Sequence, residues 1–157
     1  MTKTKSLVII LLILGLSLAD AIFKVLALKH LPSDQTTDLN PILDLAIHKN
    51  PGIAFDIPLP LSLVIPLSLI IIGVFAWIVR QHWSDNRPQA LSAIAVVFGA
   101  LGNAVDRLIN NFTTDYLILF QTSAINLSDV LILLGIVGSL WYSQNLPASP
   151  SANGKDS

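Results

Sequence analysis

The sequence predicts an all-α membrane protein of four transmembrane helices, with an extracytoplasmic loop region over its polar site that leaves room for a small β-sheet. Three observations point there. Of 157 residues, 53% are hydrophobic and 12% charged, whereas soluble domains carry roughly 25% charge. The mean hydropathy is +0.69. Four stretches also approach the roughly 20 mostly apolar residues that a bilayer crossing needs. A chain of this length makes one domain, taken as residues 1–146. The formal net charge of −1 gives no electrostatic basis for binding nucleic acid. The absence of cysteine removes disulfides, thiolate metal sites and cysteine nucleophiles together.

The first span is expected from about Leu7 to Leu28 and the second from about Pro58 to Val79. The second carries no charge between Asp56 and Arg80, and Pro66 lies inside it, which membrane helices tolerate. The third runs from about Ala90 to Ile109, and its Ala and Gly content suits a helix packed on others. The fourth runs from about Leu127 to Trp141 and can borrow length from Tyr142 to Leu146. Gly135-Ile136-Val137-Gly138 does not match a helix-dimerisation GxxxG, and no dimer is inferred. Residues 147–157, rich in Pro, Ser, Ala, Asn and Gly, read as a disordered cytoplasmic tail.

Four spans place both termini on one side. Lys3, Lys5, Arg80, Arg87 and Lys155 mark that side as cytoplasmic by the positive-inside rule, and Trp77, Trp83, Trp141 and Tyr142 fall near the same ends. The loops 29–57 and 110–126 then lie outside. A cleaved signal sequence is the competing reading of the N-terminus: Met1–Lys5 is basic, Leu7–Leu18 apolar, and Ala19-Asp20-Ala21 imitates a cleavage site. Apolarity resumes over Ala21–Leu28, which favours an uncleaved span.

The polar residues at membrane depth gather at one level. Asp20 and Lys24, four apart on one helix face, lie near the outer end of the first span. Asn103, Asp106 and Arg107 lie near the outer end of the third, and Asn126 and Asp129 open the fourth. Asn50 and Asp115 belong to the outer loops. Ionisable residues at such depth are costly and are functional candidates. Asp20–Lys24 reads first as an intrahelical ion pair, Asp106 as a local cap or pair, and Asn126 as a helix N-cap. Asp129 in a first helical turn is electrostatically favoured, and Asp115 reads as a loop residue. His30, His48 and His82 are expected in loops, far apart and without metal-ligand spacing, so no metal is expected. Two carboxylates that converge, Asp115 and Asp129, fit acid–base hydrolysis by a shared-proton pair. A small proton-coupled transporter using Asp20, Asp106 and Asp129 as a relay, or a non-enzymatic assembly factor, are the other classes. The transporter would spread polar residues across the membrane depth.

Five motifs in order carry a resemblance: Asp20 and Lys24 four apart; Asn50-Pro51-Gly52-Ile53-Ala54-Phe55; Gly99-Ala100-Leu101-Gly102-Asn103-Ala104-Val105-Asp106-Arg107; Asp115 eight residues after that Arg; and Asn126-Leu127-Ser128-Asp129. The chain from about Leu7 to Tyr142 resembles the lipoprotein signal peptidase (signal peptidase II) family, the membrane aspartyl proteases of bacteria. It departs from the family pattern at Phe23 (usually Thr), Phe98 (Gly), Tyr116 (Phe), Ile125 (Phe) and Ser128 (Ala). The resemblance implies an endopeptidase that removes the signal peptide from diacylglyceryl-modified prolipoproteins just before the lipidated Cys. It implies no cofactor, a monomer among membrane lipids, and a multi-pass protein of the bacterial cytoplasmic (inner) membrane with its site near the extracytoplasmic face. Asp115 and Asp129 would be catalytic. Asn103 and Asn126 would hold the aspartates or substrate carbonyls, Arg107 would engage backbone or lipid carbonyl oxygens, and Asn50 and Gly52 would form the outer substrate edge. Asp20, Lys24 and Asp106 would support the site.

Overall fold

In the computed structural model, residues 1–33, 42–52, 57 and 59–145 are described; the tail expected from residue 147 and the Ile53-Ala54-Phe55 part of the second motif lie outside them. The elements in chain order are α1 (Lys3–His30), β1 (Leu43–Asn50), α2 (Leu61–His82), α3 (Arg87–Asn110), β2 (Thr113–Leu119), β3 (Ser123–Ile125) and α4 (Leu127–Gln144). All four helices are long and apolar enough to cross a membrane. α1 and α3 extend one to four residues past both predicted limits, α4 starts at the predicted Leu127 and ends three past Trp141, and α2 starts three residues inside the predicted Pro58 and ends three past Val79. Thr2 Oγ1 accepts from the Lys5 N–H at 3.3 Å, and Asn86 caps α3 with Pro88 in its first turn. Asn111 closes α3 in the left-handed conformation at φ 64°, a conformation Asn tolerates. Pro66 sits inside an unbroken α2. The sequence that imitates a cleavage site lies well inside α1, with Asp20 1% exposed.

α3 packs against α1, α2 and α4. Of its apolar window 56% is buried inside the protein, against 6% for α2, so α3 is the core helix and α2 an outer wall. The α3–α4 contact is close because glycines face it. A Cβ on Gly99 would lie 2.6 Å from the Ser128 carbonyl oxygen, and one on Gly135 would lie 2.6 Å from Val96 Cγ2. The Gly135–Gly138 pair thus serves packing within the chain; Gly138 is set against Ser92. Phe98, at a family glycine position, packs beside Ile13 and Leu131.

The loops form a three-stranded antiparallel sheet, β1-β2-β3, in which β1 pairs Leu43↔Leu119 through Asn50↔Thr113 with a bulge between Leu45 and His48. The signal was present: Leu43, Leu45 and Ile47 alternate with polar or small residues, the period of a half-buried strand. β2 turns into β3 through Phe120 and Gln121, both at positive φ (51° and 58°), with the Thr122 N–H donating to Leu119 O at 3.1 Å. Asp115, expected in a loop, is a strand residue, and His48 is its cross-strand partner. His30 and His82, also expected in loops, end α1 and α2.

Candidate active site

The site forms where the C-terminal ends of α1 and α3, the N-terminus of α4 and the sheet meet. Alternation along β2 turns Thr113 and Asp115 to one face and Thr114, Tyr116 and Ile118 to the other. The second face packs toward α1, where the Tyr116 ring meets Phe23 edge-on at 6.0 Å. The first face closes a cavity of about 530 Å³, lined also by Asn50, Asn103, Arg107 and Asp129, within the range of small-molecule and peptide pockets. Its lower limb is apolar, walled by Val64, Leu67 and Ile71 of α2 and by Ile132, Leu133 and Ile136 of α4.

Asn126 joins the two aspartates. Its side-chain amide donates to Asp115 Oδ1 at 2.6 Å, and its backbone N–H donates to Asp129 Oδ2 at 3.1 Å. The Asp129 N–H returns a bond to Asn126 Oδ1 at 3.0 Å, completing a capping box at the start of α4. The N-cap expected from sequence and the site role are therefore one arrangement. Asn50 Nδ2 donates to Asp115 Oδ2 at 3.3 Å, and Asn103 Nδ2 to Asp129 Oδ1 at 2.8 Å. Each carboxylate oxygen of the pair thus faces an N–H donor.

The supporting residues lie behind them. Lys24 pairs with Asp20 at 3.0 Å, as expected within α1, but it also reaches Asp106 at 3.7 Å and donates to Asn103 Oδ1 at 2.7 Å. Asp20 accepts from Tyr116 Oη at 2.9 Å, Ser128 Oγ at 2.7 Å and the Leu127 N–H at 3.0 Å. It holds α1 to the start of α4. Asp106 pairs locally with Asn110 at 2.7 Å and also fixes β2 by accepting from the Thr114 N–H at 2.6 Å. Arg107 Nη2 donates to Gly52 O at 3.1 Å, and the Gly52 N–H donates to Asn50 Oδ1 at 2.9 Å.

Every site residue expected from the sequence lies in this assembly. The sequence reading missed Tyr116, Ser128 and Thr114 as partners. Hydroxyls placed beside the charged motif positions were the available signal.

Burial, and then the nearby Asp129 carboxylate, push the Asp115 carboxyl up to about 7, against the opposing effect of the Asn126 and Asn50 amides. Burial and Asp20 push the Tyr116 phenol far above its ordinary value, so it stays a donor. Asp20, Asp106 and Asp115 are buried and Asp129 half-buried, with Lys24 and Arg107 as the cations among them.

Four apolar helices under a small sheet, with a carboxylate pair lining a largely apolar cavity, define a polytopic membrane protein equipped for acid–base chemistry. A profile of the family described as signal peptidase (SPase) II matches residues 10–144. The chain belongs to the signal peptidase II family. A lipoprotein signal peptidase of Allorhizobium ampelinum is 32% identical over 133 residues, covering 80% of this chain and 81% of that one. Another, of Thermodesulfovibrio yellowstonii, is 33% identical over 135 residues, covering 82% and 88%. A solved structure described as a bacterial membrane enzyme, determined by the in meso method at 2.3 Å resolution, superposes with a TM-score of 0.74. It shares 17% identity and covers 99% of this chain and 95% of that one.

Proposed function

We propose that Asp115 and Asp129 form the catalytic pair of an aspartic endopeptidase that cuts diacylglyceryl prolipoproteins just before the lipidated Cys. The family makes this chain a membrane-bound peptidase of lipoprotein signal peptides; the observation that carries the residue assignment is Asn126, bonded at once to both carboxylates in one cavity. The pair shares one proton. The ionised carboxylate takes a proton from water as the water oxygen attacks the scissile carbonyl carbon, and the protonated one gives its proton to the carbonyl oxygen. Collapse of the tetrahedral intermediate breaks the C–N bond and delivers a proton to the leaving nitrogen. The signal peptide leaves with a new carboxylate and the lipidated Cys with a free amine. The pair titrates as a unit.

The apolar limb between α2 and α4 suits a signal helix and acyl chains arriving sideways through lipid. Asn50 and Gly52 form the outer substrate edge. The basic ends of the spans favour cytoplasmic termini and an extracytoplasmic site in the inner membrane, and the chain acts as a monomer among lipids. The polar cluster lies at one end of the spans while their middles are apolar, which disfavours a transmembrane proton relay.

The test is gel-shift cleavage of a diacylglyceryl prolipoprotein by purified wild type and Asp129→Asn. Cleavage by wild type alone, with the variant folded, supports the pair. Equal cleavage by both overturns it, and cleavage by neither points to a transporter or assembly factor.

A further inference from the structure

Strand β3 lies at the edge of the sheet, and that edge opens on the cavity. Among the described residues β3 pairs with β2 alone, and Ser123, Ala124 and Ile125 are half-buried rather than sealed. Thr122, Ser123, Ala124 and Ile125 all line the cavity that holds Asp115 and Asp129. Side chains along a strand alternate between faces, and Ala124, opposite Ile118, belongs to the face turned away from Asp115. Consecutive residues of a strand can line one cavity only if it reaches them from the main-chain edge. The direction of the main-chain groups follows from the ladder. The Phe120 N–H donates to Ile42 O at 3.0 Å, on the β1 side, and Leu119 O accepts from the Thr122 N–H at 3.1 Å, on the β3 side. Successive residues of a central antiparallel strand bond to opposite neighbours, so Leu117 and Leu119 face β3, where Ile125 and Ser123 stand opposite them. The N–H and C=O of Ala124 therefore point out of the sheet, and no other main-chain bond reaches them among the described residues. An open strand edge is a template for a further strand.

We propose that the substrate chain just beyond the scissile bond lies extended along β3 and pairs main chain to main chain with Ala124. A donor and an acceptor side by side on one residue match the N–H and C=O of one residue of an extended peptide. Side chains take no part in that pairing, so it holds substrates of differing sequence alike. β3 leads into α4 at Asn126, so from Ile125 back to Ser123 the strand runs away from the span. The signal helix arrives through lipid, which leaves the mature segment after the lipidated Cys on this outward side. Asn126 is bonded to both aspartates, and Ala124 stands two residues before it, about 7 Å along the strand. The paired residue thus falls within the first three after the Cys. Ala124 is a substrate-binding residue through its main chain, distinct from the aspartate pair and its amide supports. This rests on the peptidase reading above.

The experiment replaces single backbone amides by esters in a diacylglyceryl lipopeptide substrate, one at each of the first three residues after the Cys, and measures KM with wild-type enzyme. An ester lacks the N–H and keeps nearly the same shape. One position is expected to raise KM by roughly threefold to tenfold, with a smaller change or none at the other two. Equal KM for all three esters, raised or not, overturns the strand pairing. Ala124→Pro removes the proposed donor on the enzyme, and an edge strand accepts proline where the N–H makes no ladder bond. Its KM on the all-amide substrate should rise by a similar factor. A folded Ala124→Pro with the KM of wild type also overturns the pairing; if that variant does not fold, the ester series on wild type decides alone. Failure of wild type to cleave the all-amide substrate shows separately as no turnover in the reference and overturns the peptidase reading and the pairing with it.

Discussion

Lys24 Nζ donates to Asn103 Oδ1 at 2.7 Å across 79 residues of sequence, and this contact decides which way the Asn103 amide faces. An ammonium can only donate, so the amide oxygen must turn to Lys24 and the amide nitrogen to Asp129, 2.8 Å away. Lys24 thereby orients a donor on a carboxylate it does not itself bond. Replacing Asn103 by Leu is expected to keep the fold and to lower kcat by about 10- to 100-fold, the range for losing a hydrogen bond to a charged group. Steady-state cleavage with a thermal-unfolding control checks this, and an unchanged kcat would mark the contact as structural.

Lys24→Met has a different signature. It leaves Asp20 and Asp106 buried without their cation, which should cost about 3–5 kcal/mol. Thermal unfolding in detergent would show a lower midpoint, and part of it should return when Asp106 is also neutralised as Asp106→Asn.

The pH dependence follows from Asp115. Its carboxyl holds a proton up to about 7 in the folded protein, through burial first and then the Asp129 carboxylate, but only to about 3.9 in an unfolded chain. Raising the pH through 7 strips the shared proton, so kcat/KM should fall on that alkaline side. For stability, the folded state binds the extra proton between about pH 4 and 7, so wild type loses stability as pH rises across that window and gains nothing further below it. Asp115→Asn removes this dependence. Its stability relative to wild type should therefore rise between pH 4 and pH 7 and level off beyond; a constant difference in thermal midpoint across that range would contradict the raised carboxyl.

Three departures from the family pattern meet at one place. Tyr116 and Ser128 both donate to Asp20, and Phe23 packs edge-on against Tyr116. Along the sequence they are three separate positions. In space they form a set around the carboxylate that ties α1 to α4. Tyr116→Phe and Ser128→Ala should each destabilise by about 1–3 kcal/mol, and the double variant should depart from additivity by more than about 0.5 kcal/mol, as neighbours on one acceptor do. Strict additivity in chemical or thermal unfolding would deny the shared acceptor.

Gly135→Ala tests the α3–α4 contact that sets the level of Asp129. The added methyl would meet Val96 Cγ2 at 2.6 Å and Ser92 O at 2.7 Å, and backbone cannot yield cheaply. A loss of about 1–3 kcal/mol is expected, with cleavage falling as α4 is displaced. Gly73→Ala is the control, since a Cβ there has nothing within 4 Å, and its midpoint should match wild type.

The sequence by itself determined the four spans, the level of the membrane at which polar residues gather, and the residues of the candidate site. Spanning is a local property: each apolar residue contributes its own transfer free energy, so hydropathy along the chain finds the helices without knowing their neighbours. The charged residues of α1, α3 and α4 were legible for a related reason, since an ionisable group at membrane depth is conspicuous wherever it lies, whereas Asn50, Gly52 and Asp115, read in loops, stood out only through the order of the motifs. The tertiary structure alone decided the partners. That Asp20 serves α4 rather than only Lys24, that the 110–126 loop is a hairpin lining the cavity, and that Gly135 and Gly138 face α3 all depend on contacts between distant segments. Asp20 meets Ser128 across 108 residues. Spacing along one helix can place two groups on a face, but it carries no information about what a second helix, a strand or a glycine gap brings against that face.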